Sequence, residues 1–227
     1  MLGNCPQIVM SPVIIIVISY LLGSIPFGYL VTRFSTGRNI LEIGWRKTSG
    51  SNVFKNVGKW QGLFTGILDV LKGFLAVSLA QYFNASVPVQ ALCGVAAVTG
   101  HNYSCFLKFA GGRGIGTLIG AFLALSPGIL GFSIIPLILL AIIWNASIGT
   151  IFFLITAISL VAYFGQLGTV GILPLVSLLP IFIKRLSPIK ELSLEKKELI
   201  ENRLIFDNDQ ACLDLRILRI LKHLTKK

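Results

Sequence analysis

The stretch HNYSCFLKFAGGRGIGTLIGAFLALSPG, His101 to Gly128, decides how the rest of the chain is read. It opens on a histidine, sets Lys108 and Arg113 among glycines, and then runs apolar from 114 to the break at Ser126-Pro127-Gly128. A helical membrane crossing takes roughly 20 apolar residues. The run is therefore either a short crossing or a re-entrant piece, and the two readings put the C-terminal part of the chain on opposite sides of a bilayer.

Working outward, further apolar runs lie at 10–32, 61–83, 88–107, 128–145, 148–166 and 168–183. Turn-like clusters at 145–147 and 165–168 separate the last three. The composition agrees with membrane spans: 54% of residues are hydrophobic and 13% charged, against about 25% charged in ordinary soluble domains. Basic residues choose between the two readings. Six Lys and Arg fall between 33 and 60, Lys108 and Arg113 flank the short run, and eleven more follow from Lys184 onward. Basic loops stay cytoplasmic, and the three regions share one side only if 114–126 crosses. The expectation is an all-α integral membrane protein, a seven-transmembrane-helix bundle with its N-terminus outside and its C-terminus cytoplasmic. The division expected is a membrane domain over 1–185 and a basic cytoplasmic tail over 186–227.

Leu213, Ile217, Leu221 and Leu224 share one helical face in that tail, as in a helix lying on a membrane surface or an ordinary solvated terminal helix. The net charge of +11 reads as positive-inside charge facing anionic lipid headgroups, not as a nucleic-acid surface. Residues 1–7 carry no basic residue, so the first run is expected to be a retained span and not a signal peptide. Cys5, Cys93, Cys105 and Cys212 are scattered with no ligand spacing and read as small hydrophobic residues, so no metal is expected.

Polar residues inside apolar runs are costly and therefore informative. Asp69 and Lys72 stand three apart in ILDVLKGFL, on one helix face, where they can pair. Such a pair either ties the bundle together or also orients a polar site. His101 and Asn102 fall late in the third run, just before the glycines 111, 112, 114 and 116 that surround Arg113. Glycine exposes backbone N–H groups, a helix starting just beyond aims its positive end at the same point, and Arg113 adds paired donors. The combination reads as an anion pocket with phosphate as its natural guest. The loop from Gly37 to Lys59 is also rich in glycine, serine, asparagine and cations. The two loops together fit a phosphate-binding floor under an apolar interior.

Four features then suggest a family. GSIPFGYLVTR (23–33), LDVLKG (68–73), GHNYSCFLKFAGGRGIGT (100–117) and the spacing of the spans resemble the bacterial acyl-phosphate:glycerol-3-phosphate acyltransferases of the PlsY type, over roughly 10–185. The resemblance implies a seven-span enzyme of the bacterial inner membrane with a cytoplasmic active site. Its reaction moves a fatty acyl group from acyl phosphate to the 1-hydroxyl of glycerol 3-phosphate, giving lysophosphatidate and phosphate for phospholipid synthesis. It implies no cofactor, because an acyl phosphate is already activated. The implied partners are acyl phosphate, glycerol 3-phosphate, membrane lipids and a phosphate acyltransferase supplying the acyl donor.

Carried onto this chain, the resemblance makes His101, Arg113 and Ser49 the catalytic candidates. Lys55, Asn52, Gly111, Gly112, Gly114 and Thr117 are the phosphate-binding candidates, and Asp69 and Lys72 the structural or orienting pair. The first motif is altered. Laid without gaps, Leu41 takes the place of an arginine, Trp45 of a serine, Lys47 of an asparagine and Lys55 of an arginine. A local shift at Thr48–Asn52 lets Ser49 or Ser51 stand in for the serine. Arg113 replaces the usual lysine of the second motif. In the third, KELIENRL (197–204), Lys197 and Ile200 take the His and Asn places, with Asn202 off register. The same residues also fit a degenerate relative that binds a lipid phosphate without the standard reaction. A small transporter or scaffold is the third reading.

Overall fold

The structure, a computed structural model, describes residues 10–187 and 197–207. Among these residues the regular structure is entirely helical. The helices are α1 Pro12–Ser24, α2 Phe27–Thr36, α3 Gly50–Asn56, α4 Lys59–Tyr82, α5 Val87–Asn102, α6 Ile115–Leu125, α7 Pro127–Ile143, α8 Ala146–Tyr163, α9 Ile172–Leu186 and α10 Lys197–Phe206. The surface-helix pattern expected between 213 and 224 lies outside the described residues.

The apolar run 10–32 is two helices, not one. Pro26 lacks an N–H and disfavours a helical residue before it, so α1 stops at Ser24 and α2 restarts at Phe27. The break frees the Ile25 carbonyl, and Lys72 Nζ of α4 donates to it at 3.0 Å. The third run also ends earlier than its hydropathy suggests. α5 stops at Asn102, where a tight turn takes over: Ser104 N–H donates to the Ala110 carbonyl at 3.1 Å, and Phe109 N–H returns to the Ser104 carbonyl at 2.8 Å. Lys108 and Phe109 take left-handed backbone there.

α6 is the short piece. Its 11 residues make about 16 Å at 1.5 Å per residue, half of a hydrocarbon core about 30 Å thick. By length and composition, the run Pro12–Thr36, α4 and α8 are able to cross a membrane. The side chains are distributed inside-out relative to a soluble protein. Leu63, Ile67, Leu71 and Leu75 form an exposed stripe along α4, and Phe132, Ile135, Leu139 and Ile142 another along α7. Ser19, Thr32, Thr65, Asp69, Lys72, Asn102, Thr117, Ser133 and Ser177 are buried. In lipid, helices gain little from hiding apolar surface and pack through close backbone contact instead. A Cβ at Gly73 would strike the Thr117 carbonyl of α6, and one at Gly120 the Val70 carbonyl of α4. Gly23 and Gly100 play the same part between α1 and α5. An apolar core links α4–α9 through Val77, Val98, Leu118, Phe153 and Leu173, with Phe122 edge-on to Phe153 at 5.9 Å.

Candidate active site

The polar residues gather in two groups, one between helices and one where the loops meet. The inner group centres on Asp69. Its Oδ1 lies 3.1 Å from Lys72 Nζ and 3.3 Å from His101 Nδ1, and all three side chains are at most 6% exposed. Neither approach is aligned as a hydrogen bond to that oxygen, so the attraction is chiefly electrostatic. A carboxylate beside Nδ1 favours the tautomer with its proton there, leaving Nε2 as an acceptor. Nε2 faces Gly112: a Cβ at that position would collide with it. Gly112 N–H in turn donates to the His101 carbonyl at 3.0 Å. The glycine is there because the loop backbone lies directly on the imidazole.

Neighbouring residues fix this arrangement. Asn102 donates through Nδ2 to the Pro180 carbonyl of α9 at 3.0 Å, while its Oδ1 is buried without a partner among the described residues. Gly114 begins α6 with φ +79°, a conformation that suits glycine, and a Cβ there would crowd Asn102 Oδ1. Thr117, in the first turn of α6, is fully buried, and its hydroxyl also lacks a partner among those residues. The start of α6, whose first N–H groups have no partner within the helix, thus packs against Asn102 and Asp69. Gly111 is pressed against the His101 and Asn102 carbonyls.

The outer group joins the two loops. Thr48 N–H donates to the Gly111 carbonyl at 3.2 Å. The Arg113 guanidinium lies 4.5 Å from the centroid of the Trp45 ring, and Lys55 Nζ lies 5.0 Å from the same centroid. Two of the expected cations therefore meet on an aromatic platform that stands where the family motif has a serine. Ser49 precedes α3 and is buried, with its hydroxyl 3.3 Å from that of Ser51.

Asn52 has its hydrogen-bonding capacity filled by the loop. It donates to the Ile43 and Lys47 carbonyls at 3.1 and 2.8 Å and accepts from Trp45 N–H and Asn56 Nδ2 at 3.1 and 2.8 Å. Its side chain shapes the 43–47 turn and has no donor left over for a ligand.

Sequence reasoning missed three members of this group as site residues. Asp207 Oδ1 receives Lys47 Nζ at 3.0 Å, and its Oδ2 contacts Arg113 Nε. Lys184 Nζ lies 4.8 Å from the centroid of the Tyr103 ring and donates to the Phe109 carbonyl at 3.4 Å. Burial pushes Lys47 below the ordinary lysine value; Asp207 opposes that shift, while Arg113 and Arg203 reinforce it. Lys47 was visible as a departure from the motif, and Lys184 as a charge at the end of an apolar run. Asp207 carries no spacing signal that would relate it to either loop. Of the third motif, Asn202 and Arg203 are buried and Lys197 is exposed.

The family model for glycerol-3-phosphate acyltransferase matches residues 13–194. The chain belongs to the glycerol-3-phosphate acyltransferase family. A family member from Dehalococcoides mccartyi (strain ATCC BAA-2266 / KCTC 15142 / 195), "Glycerol-3-phosphate acyltransferase 2", is 37% identical over 185 residues, 78% of this chain and 87% of its own. A "Glycerol-3-phosphate acyltransferase" from Prochlorococcus marinus (strain MIT 9215) is 42% identical over 114 residues, 50% of this chain. That match spans 58% of the relative's length, and two other Prochlorococcus relatives are spanned over 66% and 58%. Among solved structures, the crystal structure of PlsY, an integral membrane glycerol 3-phosphate acyltransferase, in its glycerol 3-phosphate form superposes with a TM-score of 0.73 at 25% identity. The superposition covers 93% of this chain and 99% of that one.

Proposed function

We propose that this family member transfers a fatty acyl group from acyl phosphate to the 1-hydroxyl of glycerol 3-phosphate, releasing lysophosphatidate and inorganic phosphate. The observation that carries the reading is the joint between the loops: Thr48 bonded to Gly111, and Arg113 and Lys55 on one Trp45 ring. A site for two phosphorylated substrates needs concentrated positive charge next to free backbone N–H groups, and this joint supplies both. The hydroxyl oxygen attacks the acyl carbonyl carbon, the carbon–oxygen bond to phosphate breaks, and phosphate leaves with the electron pair. His101 accepts the hydroxyl proton at Nε2, oriented by Asp69, which Lys72 balances. Arg113 and the N–H groups of Gly111 and Gly114, just ahead of α6, stabilise charge on the carbonyl and phosphate oxygens, while Gly112, its N–H bonded to the His101 carbonyl, lets the phosphate-binding backbone lie close to the imidazole. Lys55 binds phosphate, Thr117 and Ser49 offer hydroxyls, and Asn52 holds the loop that carries the cations. Alignment of two substrates is itself a large share of such catalysis.

In this reading the chain crosses the cytoplasmic membrane of a bacterium seven times, α1–α2 counting as one crossing, with the N-terminus outside. Residues 1–185 form the membrane domain and 186–227 a basic cytoplasmic tail. The loops between α2 and α4 and between α5 and α6 then face the cytoplasm together, supported by their direct hydrogen bond and shared basic character. A soluble phosphate acyltransferase delivers the acyl donor there.

The test is an assay of purified protein with acyl phosphate and glycerol 3-phosphate, following lysophosphatidate and phosphate. Turnover is expected, falling about 10²–10³-fold in Arg113→Ala. Binding of acyl phosphate without turnover would instead identify a relative that has lost the reaction.

A further inference from the structure

Asp207 directly follows α10 and meets cations from both loops. Its side chain is 2% exposed. Lys47 Nζ is 3.0 Å from Oδ1, 160 positions away in sequence, and Arg113 contacts Oδ2 through Nε. α10 itself is fastened down. Arg185 donates to the Leu204 carbonyl at 2.6 Å and to the Ser147 carbonyl at 2.9 Å, and Arg203 donates to the Leu186 carbonyl at 3.3 Å. At Asp207 the backbone turns left-handed, φ +51°, a conformation aspartate tolerates better than most residues, and its N–H closes on the Arg203 carbonyl at 3.1 Å. A fixed helix therefore presents one carboxylate to two loops.

Resting on the acyltransferase reading, we propose that Asp207 is a positioning residue: it holds Lys47 and Arg113 in place, and Lys47 charged, so that the two cations bind substrate phosphate. The alternative is a carboxylate that occupies the anion site and competes with phosphate. Two observations favour positioning. Asp207 meets Arg113 at the Nε edge, which leaves the terminal guanidinium nitrogens for a ligand. The anchorage of α10 by Arg185 and Arg203 also makes Asp207 a bracket and not a movable plug. With Lys47, Lys55 and Arg113 set against one carboxylate, the joint keeps an excess of positive charge for phosphate.

Lys47 is the sensitive member. It is buried, and Arg113, Arg203 and Lys184 present like charge around it, with Asp207 opposing them. Without the carboxylate, Lys47 loses its proton at lower pH or turns away.

The experiment compares wild type, Asp207→Asn, Asp207→Glu and Lys47→Met. It reads KM and kcat for both substrates, the affinity for inorganic phosphate, and both against pH. Asp207→Asn is expected to raise KM for a phosphate substrate and weaken inorganic phosphate about tenfold, with a smaller change in kcat. Its loss of affinity at alkaline pH moves to lower pH than in wild type. Asp207→Glu, which keeps the charge, leaves that pH limb in place and recovers part of the affinity. In a Lys47→Met background, removing Asp207 no longer moves the limb. A merely structural role would lower thermal stability without moving it. Tighter phosphate binding in Asp207→Asn, or an unmoved limb with unchanged KM, overturns the proposal. If Asp207→Asn does not fold in detergent, Asp207→Glu still decides it: weaker phosphate with a fixed limb supports positioning, and wild-type affinity overturns it. Wild-type protein that binds inorganic phosphate but turns nothing over sinks the acyltransferase reading alone. Wild type that binds no phosphate sinks the positioning proposal.

Discussion

The inner and outer polar groups follow one chemical plan built in two ways. Between the helices, Asp69 stands between Lys72 and His101; at the loops, Asp207 stands between Lys47 and Arg113. The inner group sits on regular helix, with Asp69 and Lys72 one turn apart on α4 and His101 on the adjacent α5. The outer group is assembled from two loops and the end of a third element, through left-handed turns at Gly114 and Asp207. The first arrangement is rigid because the helices are. The second is rigid only as long as its own contacts hold, and so its charges are the more easily disturbed.

The sharpest way to break the comparison is at Lys72. Lys72→Met leaves Asp69 buried with a single partner and leaves the Ile25 carbonyl with only the Phe27 N–H as donor. Removing one member of a buried pair costs about 3–5 kcal/mol. Thermal unfolding in detergent is expected to show that loss, and Asp69→Asn added to Lys72→Met to recover part of it. A single variant as stable as wild type would mean the inner group does not hold the helices together.

The next effect is on rate. In Gly112→Ala the added methyl meets His101 Nε2, so the ring or the loop must move. Misplacement of a reacting group by about 1 Å costs roughly 10²-fold. The expectation is a fall of that order in kcat, with the helical signal by circular dichroism unchanged. Wild-type turnover would remove His101 from the role assigned to it.

The smallest effect tests the outer group. Trp45→Leu removes the ring that carries Arg113 and Lys55. Cation–π contacts contribute about 0.5–2 kcal/mol, so KM for a phosphate substrate is expected to rise about tenfold or less, with kcat little altered. A large fall in kcat instead would place Trp45 at the reacting atoms.

These differences also explain what could be read in advance. The Asp69–Lys72 contact follows from two charges three residues apart in an apolar run, because helix geometry leaves them little choice. The grouping of His101 with the glycines followed from local order, since the backbone of Gly111 and Gly112 folds back onto His101 within one turn. The helix break before Phe27 was legible in principle at Pro26, yet hydropathy averaged it away. The platform at Trp45 was not legible: in sequence it reads as the loss of a serine, and only the fold brings Arg113 over the ring. Asn52 looked like a ligand for phosphate, but three hydrogen bonds with the 43–47 turn and one from Asn56 decide its use. Asp207 was beyond reach because no periodicity connects a residue after α10 to position 47.

The match to the family model ends at residue 194, while the carboxylate between Lys47 and Arg113 lies at 207. A protein trimmed at residue 194 would retain both loops and every helix from α1 to α9. It would also bring two like charges together with nothing to reconcile them. The charge balance of the joint thus depends on a residue thirteen positions past the end of that match.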